Sequence, residues 1–238
     1  MASIPPTQSA GDRAPSRFAS RPAGYKGLLK PLLFVFSAAA LAFAFALLGS
    51  EVGEGETRTF DLQILQRAQW LRAAHPGLAE VMRDLSGLGS TVVLTLFTLA
   101  TVGYLVLVSK KTTALLVAAS ALSGTVLVSV FKAHFGRLRP DAAYAALEAS
   151  GLSFPSGHAS MSALVFLTLG TVIASSRGRR TERAYILLTA ILMTLLVGLS
   201  RILLGVHYAT DVFGGWAFGS AWAMVWLVLE RHLGRPQN

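Results

Sequence analysis

The sequence predicts an all-α protein, a six-helix transmembrane bundle with an external amphipathic helix between the first and second spans. Of the 238 residues, 53% are hydrophobic and only 14% are charged, and the mean hydropathy is +0.56. This composition is too apolar for an ordinary soluble domain of this size. The chain also contains six long apolar stretches, each near the roughly 20 residues that a helix needs to cross a bilayer.

Each apolar stretch is expected to be a helix because backbone groups in lipid must be satisfied within their own segment. The first is too long for a typical signal-peptide core, so we expect it to be retained. Residues 1–25 are rich in Pro, Ser, Ala and Arg and predict a disordered basic tail, followed by a six-span domain over 26–232 and a short tail over 233–238. The spans are approximately Leu28–Leu48, Gly89–Val108, Thr112–Phe131, Gly157–Ser176, Ala184–Leu204 and Ala209–Leu229.

The long segment from Ser50 to Leu88 carries apolar residues at helical spacing with polar residues between them. This pattern predicts an amphipathic helix lying at the outer membrane interface. A solvated loop helix with no lipid contact is the alternative. The apolar positions are Phe60, Ile64, Leu65, Ala68 and Leu71.

The distribution of charge predicts the topology. Six spans place both termini on one side, which holds thirteen Lys and Arg against three Asp and Glu, a net charge of +10. The other side holds eight cations against nine acids, a net charge of −1. Because cytoplasmic loops carry the excess of Lys and Arg, we expect both termini in the cytoplasm.

Composition also excludes several kinds of site. The chain has no cysteine, which removes disulfides, thiolate metal sites and cysteine nucleophiles. The basic pI of about 10.5 would suggest nucleic acid in a soluble protein. Here the cations flank membrane spans in short loops, so we expect the lipid bilayer as partner and no nucleic acid.

Three polar clusters lie at the predicted external ends of the later spans. The first follows the third span and contains Lys132 and Arg139-Pro140. Cations on this side run against the topology rule. Snorkelling to lipid headgroups is one explanation, and an anion site is the other.

The second cluster is Pro155-Ser156-Gly157-His158 at the start of the fourth span. Unpaired N–H groups at a helix N-terminus attract anions, Gly157 permits close backbone approach, and the Ser156 hydroxyl can donate to a phosphate oxygen. His158 would then lie in the first turn beside the anion. An ordinary N-cap is the alternative.

The third cluster runs from Ser200-Arg201 to His207 and Asp211, between the fifth and sixth spans. On a helix, the i, i+4 spacing of His207 and Asp211 would place the carboxylate beside the imidazole. The carboxylate could then fix the tautomer and leave the other ring nitrogen free to attack. A surface pair is the alternative.

The coincidence of the clusters on one side of the membrane favours a catalytic site. Three cations around a phosphate would neutralise the charge of the transition state of phosphoryl transfer. One histidine would attack, and the other would protonate the leaving oxygen. The groups assembled in this way are Lys132, Arg139, Arg201, Ser156, Gly157, His158, His207 and Asp211.

These residues resemble the three-block signature of the type 2 phosphatidic acid phosphatase family. The blocks are Lys132 with Arg139-Pro140, Pro155 to His158, and Ser200-Arg201 with His207 and Asp211, in order and at the family's spacing. The resemblance implies a membrane lipid phosphatase that works through a phosphohistidine, with no metal ion and no cofactor. His134 and Arg137 fall inside the first block but outside the signature, so we interpret them as variable surface residues.

The resemblance also implies roles for the signature residues. His207 would be the nucleophile, Asp211 its orienting carboxylate and His158 the general acid. The phosphate ligands would be Lys132, Arg139, Ser156, Gly157 and Arg201.

Several functions remain open on the sequence alone. Vanadate-dependent haloperoxidases share this oxyanion site, although those are soluble. A lipid phosphotransferase could use the same site, and a non-catalytic phospholipid binder or transporter could use the basic groups for headgroups. Among lipid phosphates, undecaprenyl diphosphate, phosphatidylglycerol phosphate, phosphatidic acid and the phosphates of lipid A are all candidates. The expected location is a bacterial inner membrane, with the site on the extracytoplasmic side.

Overall fold

The computed structural model describes residues 26–233, with side chains from residue 32 onward. The tails predicted at 1–25 and beyond residue 233 lie outside the described residues. The described chain is mostly helical, with short connections except for the long one over 136–156, which contains a 3-10 turn at Ala142–Tyr144. The helices are Lys26–Glu54 (α1), Arg58–Ala74 (α2), Leu78–Gly87 (α3), Thr91–Leu107 (α4), Lys111–Phe135 (α5), Gly157–Ser175 (α6), Arg180–Leu203 (α7) and Ala209–Leu233 (α8).

Six segments of the described chain are long and apolar enough to cross a membrane, which confirms the predicted fold class. Five of them are single helices and agree with the predicted spans to within several residues. They are Leu32–Glu54, Lys111–Phe135, Gly157–Ser175, Arg180–Leu203 and Ala209–Leu233.

The second span differs from the prediction. It covers Leu78–Leu107 and contains a break between α3 and α4, whereas the sequence predicted a start at Gly89. The sequence of α3 does not form an apolar run, because it contains exposed charged side chains. Ser90 begins α4 by accepting a hydrogen bond from the Val93 N–H at 3.3 Å, as an N-cap residue does.

The predicted amphipathic helix between the first two spans corresponds to α2. Leu65 and Ala68 are buried, and α2 packs on α7 and α8. Phe60 and Trp70 are exposed. The apolar face therefore contacts the protein itself, and a position at the lipid interface stays a prediction.

The centre of the bundle is α6, which packs extensively on both α7 and α8, while α1 packs on the outer side of α8. Small residues allow the α6–α8 approach. A Cβ added at Gly219 would lie 2.2 Å from the Ser160 carbonyl oxygen, and one at Gly215 would lie 2.9 Å from the Ser156 carbonyl oxygen. Backbone atoms cannot yield as flexible side chains do, so these contacts fix the separation of the two helices.

All three polar clusters lie at one end of the bundle, which we call the site end. There α5 and α7 end and α6 and α8 begin. Gly136 ends α5 in a left-handed conformation with φ of 60°, which glycine adopts without strain. This turn directs the following residues back over the bundle.

We predict that Gly219→Ala destabilises the protein, because its methyl group must displace the α6 backbone. Overpacking of this kind costs about 1–3 kcal/mol, so the thermal unfolding midpoint in detergent should fall by several degrees. Gly103→Ala is the matched control, because nothing lies within 4 Å of a Cβ at that helical position. Equal midpoints for the two variants would contradict the tight α6–α8 contact.

Candidate active site

The first cluster contributes two cations that reach the same short loop. Lys132 lies in the last turn of α5 and donates to the carbonyl oxygens of Leu152 and Ser153, the latter at 3.3 Å. Arg139 Nε donates to the carbonyl oxygens of Ser150 and Gly151 at 3.0 and 3.1 Å. Both side chains therefore hold the segment that leads into α6.

Arg139 also contacts the predicted nucleophile. Its Nη1 donates to the Val206 carbonyl oxygen at 2.9 Å and lies 3.1 Å from His207 Nε2. A guanidinium has no acceptor, so Nε2 accepts this hydrogen bond through its lone pair. The other nitrogen, Nδ1, then carries the proton.

The second cluster forms the N-terminus of α6. Ser156 is its N-cap, and the Ser156 hydroxyl accepts from the Ala159 N–H at 3.5 Å. Ser156 is therefore an ordinary N-cap, as the alternative interpretation of this cluster predicted. Lys132 Cε lies 3.9 Å from the position of a Cβ on Gly157, so a cation also lies beside this helix terminus. The N-cap and an anion site are compatible here.

The third cluster brings His207 and Asp211 together, with 3.3 Å between His207 Nδ1 and Asp211 Oδ2. The two residues do not share a helix, because α8 begins at Ala209. The pair forms through the helix cap instead. Asp211 reaches back to accept from the Tyr208 N–H at 2.9 Å, as an acidic residue at the third helical position does in a capping box.

Burial governs the protonation of His207. Its side chain is only 2% exposed. Burial lowers the pKa of His207 to about 4, and nearby Arg139 and Arg201 act in the same direction, whereas Asp211 acts in the opposite direction. The imidazole is therefore neutral at pH 7, the form in which a ring nitrogen can attack.

Arg201 lies in the last turn of α7 and is 6% exposed. Its Nη1 donates to Ser86 Oγ on α3 at 2.6 Å. Its Nε is buried, and within the described residues it has no hydrogen-bond partner. Buried donors are normally satisfied, so the hydrogen bonding of the Arg201 guanidinium is incomplete within the described residues.

The structure brings together all eight residues that the sequence singled out. His158 lies at the start of α6, within electrostatic reach of Lys132, Arg139, Arg201 and His207. Ser156 and Asp211 are joined through the backbone, since the Ser156 N–H donates to the Asp211 carbonyl oxygen at 2.9 Å. The chemical roles of these residues stay predictions.

The interpretation of Arg137 as a surface residue is wrong, although His134 is indeed exposed. The Arg137 side chain is 14% exposed and pairs with Asp61 at 2.6 Å and with Asp211 at 2.7 Å. Burial acts to lower the pKa of Arg137, but the two carboxylates outweigh it and raise the pKa. No local sequence pattern indicates this burial, because the two carboxylates lie 76 and 74 positions from Arg137 in the chain.

Sequence reasoning missed other residues that surround the site. Ser153 is fully buried and donates to Asp211 Oδ2, with its hydroxyl 3.3 Å from His207 Nδ1. Arg72 on α2 donates to the carbonyl oxygens of Leu203 and Tyr144. Only the position of Ser153 next to the second block gave a signal. Arg72 pairs with backbone atoms of distant segments, which no motif reveals.

An apolar cavity of about 370 Å³ leads to the site between α4, α5 and α6. Lys132, Gly157 and His158 line it at the site end. Leu99 and Leu122 also line it and are 61% and 70% exposed, so the cavity reaches the outer surface of the bundle. An apolar chain could enter from that side and present a polar head to the cations.

The described residues contain no group of three or more His, Asp or Glu side chains arranged to hold a metal ion. The acidic groups nearest to His207 are instead engaged by protein donors, as described for Asp211. The groups that converge on the site are thus cations, N–H groups and imidazoles, which suit an oxyanion.

Comparisons with known proteins agree with this site. Residues 112–235 match the model of the PAP2 superfamily. The chain is 30% identical over 189 residues to phosphatidylglycerophosphatase B of Bacillus subtilis, covering 78% of this chain and 90% of that protein. It is also 30% identical over 163 residues to decaprenylphosphoryl-5-phosphoribose phosphatase of Mycobacterium tuberculosis, covering 67% of this chain and 85% of that protein.

A solved structure shares the fold. The crystal structure of a transmembrane PAP2 type phosphatidylglycerolphosphate phosphatase from Bacillus subtilis superposes with a TM-score of 0.78 at 25% identity. The match covers 85% of this chain and all of that one. The chain is therefore a multi-pass membrane phosphatase. It belongs to the PAP2 superfamily, which confirms the resemblance found in its three sequence blocks.

Proposed function

We propose that the protein hydrolyses the terminal phosphomonoester of a membrane lipid through a phosphohistidine on His207. The observation that carries this proposal is the position of His207 Nε2, 3.1 Å from Arg139 Nη1 and in a site that also holds Lys132, Arg201 and His158. A neutral nucleophile thus faces the groups that would hold the phosphate. The apolar cavity beside Lys132 and His158 supplies a place for the lipid chain.

The first chemical step forms a phosphorus–nitrogen bond. Asp211 accepts the Nδ1 proton in a hydrogen bond and orients the ring, so that Nε2 attacks the phosphorus atom. The ester P–O bond breaks, and His158 donates a proton to the leaving alkoxide. Lys132, Arg139, Arg201 and the N-terminus of α6 stabilise the charge on the equatorial oxygens.

The second step is hydrolysis of the phosphohistidine. His158, now neutral, accepts a proton from a water molecule, and the resulting hydroxide attacks phosphorus. The P–N bond breaks, inorganic phosphate leaves, and His207 returns to its neutral form. His158 regains the proton that it gave to the lipid, so the cycle closes without any other reactant.

Among the candidate lipids, we favour phosphatidylglycerol phosphate or a lipid of similar chemistry. The two relatives are named for a phosphatidylglycerophosphate and a decaprenylphosphoryl phosphoribose. Both substrates carry a terminal phosphomonoester on a small polyol head attached to a lipid. Neither relative is named as a transporter, a haloperoxidase or a phosphotransferase, so those alternatives are not favoured.

We place the protein in a bacterial cytoplasmic membrane with both termini in the cytoplasm. The excess of cations in the loops at the end opposite the site supports this orientation. The phosphate would then be released on the extracytoplasmic side.

A lipid phosphate panel tests the proposed activity. We expect the detergent-purified protein to release inorganic phosphate from phosphatidylglycerol phosphate in excess EDTA, and vanadate to inhibit this release, because cations and N–H groups hold the oxyanion. The panel includes phosphatidic acid and undecaprenyl diphosphate. Loss of turnover in EDTA with recovery in Mg²⁺ would contradict the metal-free mechanism, and inactivity on every lipid would contradict the function.

The two histidines should differ in their dependence on the leaving group. We expect His207→Ala to abolish turnover and phosphoenzyme on every substrate. His158→Ala should be less damaging with p-nitrophenyl phosphate than with a lipid phosphate, because the nitrophenolate needs little protonation. Rapid acid quench with radiolabelled substrate measures the phosphoenzyme.

The exposed His134 of α5 provides the matched control, and His134→Ala should retain activity on both substrates. Phosphate trapped on His158, or a phosphoenzyme in His207→Ala, would show that the two roles are reversed.

Single cysteines should report the orientation, because the natural chain contains none. Glu148 and Gly178 are both exposed, at the site end and in the loop between α6 and α7 at the opposite end. We expect a membrane-impermeant thiol reagent to label Glu148→Cys, but not Gly178→Cys, on the outer side of the cytoplasmic membrane. The reverse pattern would invert the topology.

A further inference from the structure

Arg137 joins the catalytic region to the helix between the first two spans. Its Nη1 donates to Asp211 Oδ1 at 2.7 Å and to Thr210 Oγ1 at 2.8 Å. Its Nη2 donates to Asp61 Oδ2 at 2.6 Å. The two ends of one guanidinium fork thus reach two carboxylates, one on α8 and one on α2.

Asp61 holds the N-terminus of α8 from outside that helix. It is fully buried, accepts from the Thr210 N–H at 3.1 Å and accepts from the Thr210 hydroxyl at 2.7 Å. A short polar side chain at the N-cap normally satisfies such a backbone donor, but the N-cap of α8 is Tyr208. Asp61 therefore replaces the missing cap, and the helix turn that carries Asp211 depends on α2.

The charges of the three groups explain why two carboxylates are present. A single Arg137 beside Asp211 would neutralise the charge that the His207 imidazole needs when it bonds to phosphorus and becomes cationic. Asp61 balances Arg137, so one negative charge remains on the group as a whole. The pairs lie in a largely buried region, where such charges act strongly and an unpaired one is costly.

Arg137 is also fixed from a third direction. Its guanidinium carbon lies 4.1 Å from the centre of the Tyr208 ring, the distance of a cation–π contact. The planar fork, stacked on a ring and bonded at both ends, has one orientation. A lysine at this position could contact one carboxylate but could not reproduce the two-ended arrangement.

We propose that Arg137 and Asp61 are positioning residues for the His207–Asp211 pair, with Arg137 fixing the carboxylate and Asp61 holding Arg137 and the start of α8. The proposal rests on the proposed phosphohistidine function. It makes α2 part of the catalytic apparatus, although no residue of α2 belongs to the three signature blocks.

The test compares Asp61→Asn and Arg137→Lys with matched controls in the full-length protein. Asp84→Asn and Arg67→Lys make the same chemical changes at exposed positions on α3 and α2. Three quantities are measured for each variant. They are kcat on phosphatidylglycerol phosphate per amount of folded protein, the inhibition constant of inorganic phosphate, and the thermal unfolding midpoint with the monodisperse fraction.

We expect Asp61→Asn and Arg137→Lys to lower kcat about 10- to 100-fold, less than the roughly 10⁴-fold cost of replacing the carboxylate of a His-Asp pair itself. The inhibition constant of inorganic phosphate should stay within about threefold of wild type, because neither residue is proposed as a phosphate ligand. A lower kcat with an unchanged inhibition constant indicates an interaction that stabilises the transition state. The two controls should match wild type in all three quantities.

The proposal is overturned if both variants keep wild-type kcat. It is also overturned if total activity falls only in proportion to the amount of folded protein, which indicates a purely structural role. Weakened phosphate inhibition in parallel with kcat would overturn it too, because it places the residues in the phosphate site. A wild-type protein that hydrolyses no lipid phosphate would instead refute the proposed function, and this inference with it.

Discussion

The close approach of α6 and α8 is the constraint on which the site depends. Glycines at 215 and 219 allow the α8 backbone to lie against the α6 backbone. At the site end this approach becomes a direct bond, because the Ser156 N–H donates to the Asp211 carbonyl oxygen at 2.9 Å. The N-cap of one helix and the acidic residue of the other are thereby held in register. The proposed phosphate ligands and the proposed nucleophile come from separate segments, so this contact sets how precisely they are positioned relative to each other.

The connections between the helices are also held by hydrogen bonds from cations to backbone carbonyl oxygens. Lys132, Arg139 and Arg72 all donate to carbonyl groups in the connections between helices. Gly205, at φ of 71°, lies so near the Tyr144 carbonyl oxygen that a Cβ would be 2.0 Å away. These hydrogen bonds hold the connections between the helices in place around the candidate site. Under the proposed function, a site held in this way would bind a phosphate with little further ordering.

The sequence predicted the spans, and it predicted that the signature residues lie together at one end of the bundle, because both follow from local patterns. Apolar length identifies a span, and His207 and Asp211 lie only four positions apart. Prediction failed where a residue acts through partners distant in the chain. Arg137 and Asp61 are 76 positions apart in the chain, and no local sequence pattern indicates that they pair. The predicted second span omitted α3 for a different reason, since exposed charged side chains on α3 interrupt an otherwise apolar pattern.

The network around Arg137 also bears on the order in which the protein assembles during synthesis. Asp61 and Arg137 leave the ribosome well before Thr210 and Asp211, which belong to the last helix. Chains are synthesised from the N-terminus. Asp61 and Arg137 therefore lack their partners Thr210 and Asp211 until α8 is inserted. The polar network at the site end is consequently completed only when this last helix is in place.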